Sequence, residues 1–227
     1  MPPRPSPARR PPAKRPGRGP RLHPLGDAAA LVEIGSRVDT ALNTRAIGLA
    51  AALRKRRGVR EAIPGYASVT VHYEPDQVTF EQLRATVRNL VRARPAPPFP
   101  GRLHRIPVTY DGPDLEDAAR TLGLGVADLV RLHSEPTYRV FMVGFVPGWA
   151  YLGPLPEPLR LARRSVPRTH VPAGSVAIAG AQTGVYPLPT PGGWHLIGRT
   201  DLPMFVPDSD PPLLLRTGDR VKFFALK

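Results

Sequence analysis

No cysteine occurs among the 227 residues, which excludes disulfide staples, thiolate nucleophiles and cysteine-ligated metal centres. Lysine is scarce as well, confined to Lys14, Lys55, Lys222 and Lys227, so arginine carries nearly all of the formal net charge of +14. No apolar run approaches the roughly 18 residues needed to span a bilayer. The Arg9-Arg10 pair is not followed by a hydrophobic signal core, because the nearest apolar stretch, 28–34, is short and contains Glu33. A soluble, cytoplasmic protein without membrane contact is the expectation. Three mechanistic signatures are also missing: a G-x-x-x-x-G-K-[ST] phosphate loop, an H-E-x-x-H zinc helix and a G-x-S-x-G nucleophile elbow. Gly123 and Gly125 form a G-x-G with neither a third glycine nor a preceding strand, so a dinucleotide fold is unsupported. The six histidines lack metal-ligand spacing, and no metal site is expected.

The positive charge is unevenly placed. Seven basic residues fall in the first 21 positions, where there is no acid, and the remainder are spread thinly over the rest of the chain. With Ala and Pro abundant, this pattern points to a compositional bias toward arginine and away from a nucleic-acid interface. Acids are rarest where the chain is most unusual. Between Gly144 and Thr200 the only carboxylate is Glu157, against Arg160, Arg163, Arg164, Arg168 and Arg199. The same segment is rich in Gly and Pro and carries Phe145, Trp149, Tyr151, Tyr186 and Trp194. A flexible linker would not hold aromatics among apolar strand pieces, so this is an ordered surface of constrained loops. It suits an anionic small molecule or a protein partner.

Residues 1–21 are Pro/Arg/Ala sequence that cannot build a core and read as a disordered tail. Residues 22–94 read as a small α/β domain. It has a strand at 31–34, a helix from Asp39 to Arg57, a hairpin of 59–63 and 68–73 across Pro64-Gly65, and a second helix opened by a Thr79/Gln82 capping box. The order β-α-β-β-α implies a small sheet with helices on one side. PAPPFP opens a linker over 95–102. Beyond it, 103–227 shows short strands at 106–110, 138–143, 176–179, 194–197, 213–215 and 221–226, which suggest a closed or nearly closed barrel. Two short helices interrupt it, one capped by Asp114 and stopped at Gly123, the other spanning about 126–132 and delivering His133 at its exit. The fold class is α+β.

Without paired carboxylates in the barrel, any chemical contribution would be binding and electrostatic stabilisation. Arg168 and Arg199, beside Gly/Pro turns, read either as anion ligands or as surface charges. Gln182, in the run Ala-Gly-Ala-Gln-Thr-Gly, offers an amide that would read a lactam or purine edge, or cap a turn. Tyr186 and Trp194 are core aromatics or ligand walls, and His133 is a structural histidine or a base.

The stretches GFVPGWAYL, PRTHVPAGSVAIAGAQTGVYP, PGGWHLIGRT and LLLRTGDRVKFF, with YASVTVHYEP and HSEPTYRV upstream, closely resemble the family of 5-oxoprolinase B subunits. That family also bears the labels allophanate hydrolase subunit 1 and sporulation kinase inhibitor. The resemblance runs from about Leu22 to Leu226. It implies a small α/β domain followed by a cyclophilin-like β-barrel. It further implies ATP-dependent opening of 5-oxo-L-proline to L-glutamate, with Mg2+ accompanying ATP. The chain would be inactive alone, working with a 5-oxoprolinase C subunit of similar fold and a separate A subunit. The motif positions carried across as binding residues are Arg168, Gln182, Tyr186, Trp194 and Arg199, with His133 and Arg168 as catalytic candidates. The family labels also imply two alternatives, a regulator inhibiting a sensor histidine kinase and a component of allophanate or urea-amide hydrolysis. The chain departs from the family in Trp149, where phenylalanine is usual, and in LARRSVPRT, which lacks a proline before Arg163 or Arg164.

Overall fold

The computed structural model describes residues 20–93 and 100–226. The tail expected over 1–21 and the PAPPFP part of the expected linker therefore lie almost wholly outside the described residues. The first described element, β1 (Arg21–Pro24), begins at the last residue of the segment read as tail.

The small domain continues with β2 (Ala29–Glu33), α1 (Thr40–Leu53), β3 (Val59–Pro64), β4 (Ser68–Tyr73) and α2 (Phe80–Ala93). Its antiparallel sheet runs β1-β2-β4-β3, with α1 packed on β3 and β4 and against α2. Asp39 caps α1 by accepting from the Leu42 N–H at 3.0 Å. The helix stops at Leu53, short of the expected Arg57, where the like-charged run Arg54, Lys55, Arg56, Arg57 unwinds into turns. The capping box of α2 is reciprocal: the Thr79 N–H donates to Gln82 Oε1 at 2.9 Å, and the Gln82 N–H to Thr79 Oγ1 at 3.2 Å. Alternating residues of β2 and β4 (Ala30, Val32, Val69, Val71) and the inner faces of the helices (Leu49, Leu53, Leu83, Val87) form one core.

The second unit comprises β5 (Leu103–Val108), α3 (Leu115–Leu122), α4 (Val126–Ser134), β6 (Tyr138–Val143), β7 (Ala150–Gly153), a short 3-10 turn (Glu157–Leu159), β8 (Arg168–Val171), β9 (Ser175–Ala179), β10 (Gln182–Val185), β11 (Thr190–Gly192), β12 (His195–Arg199) and β13 (Arg220–Ala225). Seven strands follow the order β12-β9-β10-β7-β6-β13-β5, antiparallel except for the parallel β13–β5 pair. The two edges meet where the Thr109 and Arg199 N–H groups donate to each other's carbonyls at 2.9 and 2.8 Å, closing the sheet into a barrel. β8 and β11 form a separate two-stranded ribbon.

Three sequence expectations are corrected. The segment 213–215 is not a strand: behind Pro211 and Pro212 it makes a single bridge, Leu213 to Phe205, because proline supplies no ladder donor. Asp114 does occupy the cap position of α3, but its side chain makes no capping bond. Its carboxylate turns toward two guanidinium groups instead. α4 continues to Ser134, so His133 sits within its last turn and is completely buried.

The two units meet around Asn43, which is fully buried on α1. Its amide donates to the Gly65 carbonyl at 3.0 Å and the Phe141 carbonyl at 2.8 Å, and its oxygen accepts from Arg139 Nε at 2.9 Å.

Candidate functional site

Strand β9 is buried on both faces. Val176 and Ile178 point into the barrel core, while Ala177 and Ala179 line a second, outer cluster with Trp149, Val171, Tyr186, Trp194 and Leu196. Small side chains on the outer face let large rings lie against the sheet. Trp149 is the hub, 4.6 Å from Tyr186, 5.0 Å from Trp194 and 5.7 Å from Tyr151 between ring centroids, the latter two pairs edge-on. Its indole Nε1 is buried without a hydrogen-bond partner among the described residues. A Cβ at Gly192, the last residue of β11, would collide with the Tyr186 hydroxyl, so this position needs glycine for the close approach. At the rim, Phe145 holds φ at 77°, the left-handed region that a bulky residue adopts only under strain, and the residue is 64% exposed.

The small domain reaches into this cluster. Tyr66, in the β3–β4 turn, lies 6.1 Å from Tyr151 and 5.8 Å from Phe141 between ring centroids. Gln182, at the start of β10, donates its amide N–H to the Tyr66 hydroxyl oxygen. Burial pushes the Tyr66 hydroxyl up to about 12; neighbouring Tyr151 adds to the rise, while the Gln182 bond and the Arg163 charge oppose it. Tyr186 is likewise raised by burial, against the pull of a Trp194 backbone bond and of Arg163 and Arg168. Both are protonated donors at neutral pH. Arg163 is exposed and makes no ion pair among the described residues, and its charge bears on both hydroxyls.

Beside the aromatic cluster stands an arginine clamp. The Asp114 carboxylate, its side chain 3% exposed, accepts four hydrogen bonds: two from Arg168 at 2.7 and 2.8 Å, one from Arg164 at 2.7 Å, and one from the Leu196 N–H at 2.8 Å. Burial alone would raise its pKa, but the Arg168 bonds, the Leu196 N–H and the two positive charges outweigh that and hold it below the usual carboxylate range. One carboxylate for two guanidinium groups leaves a surplus positive charge, and exposed Arg163 adds to it. The Arg164 backbone N–H donates to the Gly193 carbonyl at 2.9 Å and His195 Nε2 lies 2.8 Å from the Ala162 carbonyl, so the 160–168 loop is pinned to the aromatic cluster.

The structure thus groups Gln182, Tyr186 and Trp194 around one cluster with Arg168 at its flank. Arg168 is occupied by Asp114 and Arg199 by Asp111 at 2.9 Å, so each already holds an intramolecular carboxylate. Arg199 stands apart, at the barrel closure. His133 is elsewhere too, stacked on Phe223 with ring centroids 4.7 Å apart. The Thr183 hydroxyl spends its proton on the Ala177 carbonyl, so it accepts from His133 Nε2–H at 2.8 Å, leaving Nδ1 to accept from the Tyr110 hydroxyl at 2.7 Å. Burial lowers the pKa of His133 to about 3, so the ring is neutral.

Sequence reasoning missed Tyr66 and Asp114 as site residues. The aromatic in the Gly65-Tyr66-Ala67 turn was the available signal for the first. For the second it was the scarcity of acids near so many arginines, since buried guanidinium groups need a carboxylate. Among the described residues, no group of three or more His, Asp or Glu side chains could hold a metal ion, and no helix is long and apolar enough to cross a membrane.

Residues 20–215 match the family described as carboxyltransferase domain, subdomain C and D. The 5-oxoprolinase B subunit of Escherichia coli O157:H7 is 43% identical over 211 residues, covering 91% of this chain and 96% of its own. Its counterpart from Bacillus subtilis (strain 168) is 38% identical over 219 residues, covering 89% and 91%. The crystal structure of TTHA0988 is similar in fold with a TM-score of 0.80 at 39% identity, over 88% of this chain and 40% of that longer one. The chain belongs to the carboxyltransferase-domain family of subdomains C and D and, within it, to the family of 5-oxoprolinase B subunits.

Proposed function

We propose that this chain is the B subunit of a heteromeric, ATP-dependent 5-oxoprolinase that opens 5-oxo-L-proline to L-glutamate. The observation that carries the reading is the 38–43% identity, along some nine-tenths of the chain, to proteins named as the B subunit of 5-oxoprolinase. The geometry supports it. An aromatic cluster edged by an amide, tyrosine hydroxyls and surplus guanidinium charge suits a small, flat, anionic ring compound.

The same geometry explains why the chain would need partners. Its carboxylate at the site, Asp114, is committed to four hydrogen bonds and cannot serve as a base without releasing two arginines. Groups that move protons during ring opening would come from the C subunit facing the cluster, and the A subunit would complete hydrolysis. ATP would supply the driving force for opening the lactam. The outer edges of Arg164 and Arg168, which share one carboxylate between them, have positive charge to offer its phosphates. Mg2+ would arrive with the nucleotide and take its ligands from it and from the partner.

Co-expression with the C and A subunits, followed by assay of 5-oxoproline-dependent ADP and glutamate release, tests the reading. Release only from the full set is expected. No release from a complex of folded components would overturn it.

A further inference from the structure

Among the described residues, Gln182 and Tyr66 form the polar side-chain contact that joins the small domain to the outer aromatic cluster, and each is only partly buried. Their bonding leaves a definite remainder. Because the Gln182 amide N–H donates to the Tyr66 oxygen, the Tyr66 proton is directed elsewhere. Gln182 Oε1, in turn, accepts no hydrogen bond among the described residues. A hydroxyl donor and a carbonyl acceptor therefore stand side by side at the seam, with Tyr151 edge-on to the Tyr66 ring and the Arg163 charge acting on the Tyr66 hydroxyl.

A five-membered lactam has the complementary edge. Its amide is locked cis, so its C=O and N–H point the same way, whereas an open-chain amide is trans and presents them on opposite sides. We infer that Tyr66 and Gln182 together read the cis-amide edge of the lactam substrate, Tyr66 O–H donating to the ring carbonyl, Gln182 Oε1 accepting from the ring N–H, and Arg163 facing the carboxylate. This rests on the 5-oxoprolinase reading and gives it a recognition device. The Tyr66 hydroxyl stays protonated across the physiological range, as the donor role requires. Ring opening destroys the cis edge, so the amino-acid product loses both contacts and is released. Since Tyr66 belongs to the small domain, recognition needs both units of the chain.

The test uses the reconstituted complex, with 5-oxoproline as substrate and N-methyl-5-oxoproline, which lacks the N–H, as competitor. Wild type should bind the N-methyl compound about tenfold more weakly than the parent lactam. Gln182→Leu should raise the KM for 5-oxoproline about tenfold, leave the KM for ATP unchanged and abolish the discrimination. Tyr66→Phe, which keeps the ring packed on Phe141 and Tyr151, should raise the lactam KM similarly with an unchanged melting temperature. Variants that keep both the wild-type KM and the discrimination overturn the inference while the enzyme reading stands. So does a lowered melting temperature with an unchanged KM, because the pair is then structural. A wild-type complex that releases no glutamate overturns the enzyme reading and this inference with it.

Discussion

Arg168 grips Asp114 through two parallel hydrogen bonds, Nη2 to Oδ1 at 2.7 Å and Nη1 to Oδ2 at 2.8 Å. Arg164 and the Leu196 N–H complete the ring of donors, so one buried acid ties the start of α3, the 160–168 loop, β8 and β12 together. Asp114→Asn keeps the shape but replaces two acceptor oxygens by one and removes the charge facing two guanidinium groups. We expect it to cost about 3 kcal/mol, the range for stripping one partner from a mostly buried ion pair. A urea-unfolding midpoint within error of wild type would show that the clamp contributes nothing.

Acid should destabilise the chain in two stages. His133 is held at about 3 in the folded state against an ordinary 6.5 when unfolded. Between those values the unfolded chain binds the extra proton, so stability is full above about pH 6.5 and declines on acidification by at most about 1.4 kcal/mol per pH unit. Asp114 joins later: its folded pKa lies below the ordinary 3.8, so its contribution is present above that pH and is lost as pH falls through the folded value. Melting temperatures from pH 7 to 4 should fall steeply in wild type and more gently in His133→Gln. Parallel slopes in the two proteins would count against the buried neutral histidine as the cause.

Barrel closure should be sensitive to one methyl group. A Cβ at Gly198 would stand 2.6 Å from the Thr109 carbonyl oxygen and 2.9 Å from Val108 Cγ1, beside the Thr109–Arg199 bridge that joins the sheet edges. Gly198→Ala should cost about 2 kcal/mol by overpacking and speed hydrogen exchange at the Thr109 and Arg199 amides. Unchanged protection at both amides would mean that the edges are not held together there.

The seam between the units should depend on Asn43. Asn43→Ala leaves the Gly65 and Phe141 carbonyls without their donor and Arg139 Nε without its acceptor, while Arg139 Nη2 keeps Thr44, a loss of about 3 kcal/mol at one fully buried site. Calorimetry should then resolve two unfolding transitions. A single transition at the wild-type temperature would show that the units are coupled by other contacts.

What was legible in the sequence was local. The hairpin across Pro64-Gly65, the Thr79/Gln82 box, the stop of α3 at Gly123 and the boundaries of β6 depend on residues a few positions apart, and the structure has each of them. Strands β7, β8, β10 and β11 are three or four residues long, too short for a period-two pattern to register, and three of them carry glycine. Asp114 reads as a helix cap because capping is what an Asp at that position does when nothing stronger competes.

The amino-acid sequence by itself determined the absence of thiol chemistry, the arginine surplus and the family. Tertiary structure alone decided which polar groups meet. Asp114 and Arg168 are 54 positions apart, Asn43 and Phe141 98, Tyr66 and Gln182 116. No propensity or spacing rule spans such distances. Each pairing is set by how strands close a barrel and by which buried charges and amides must then find partners away from water.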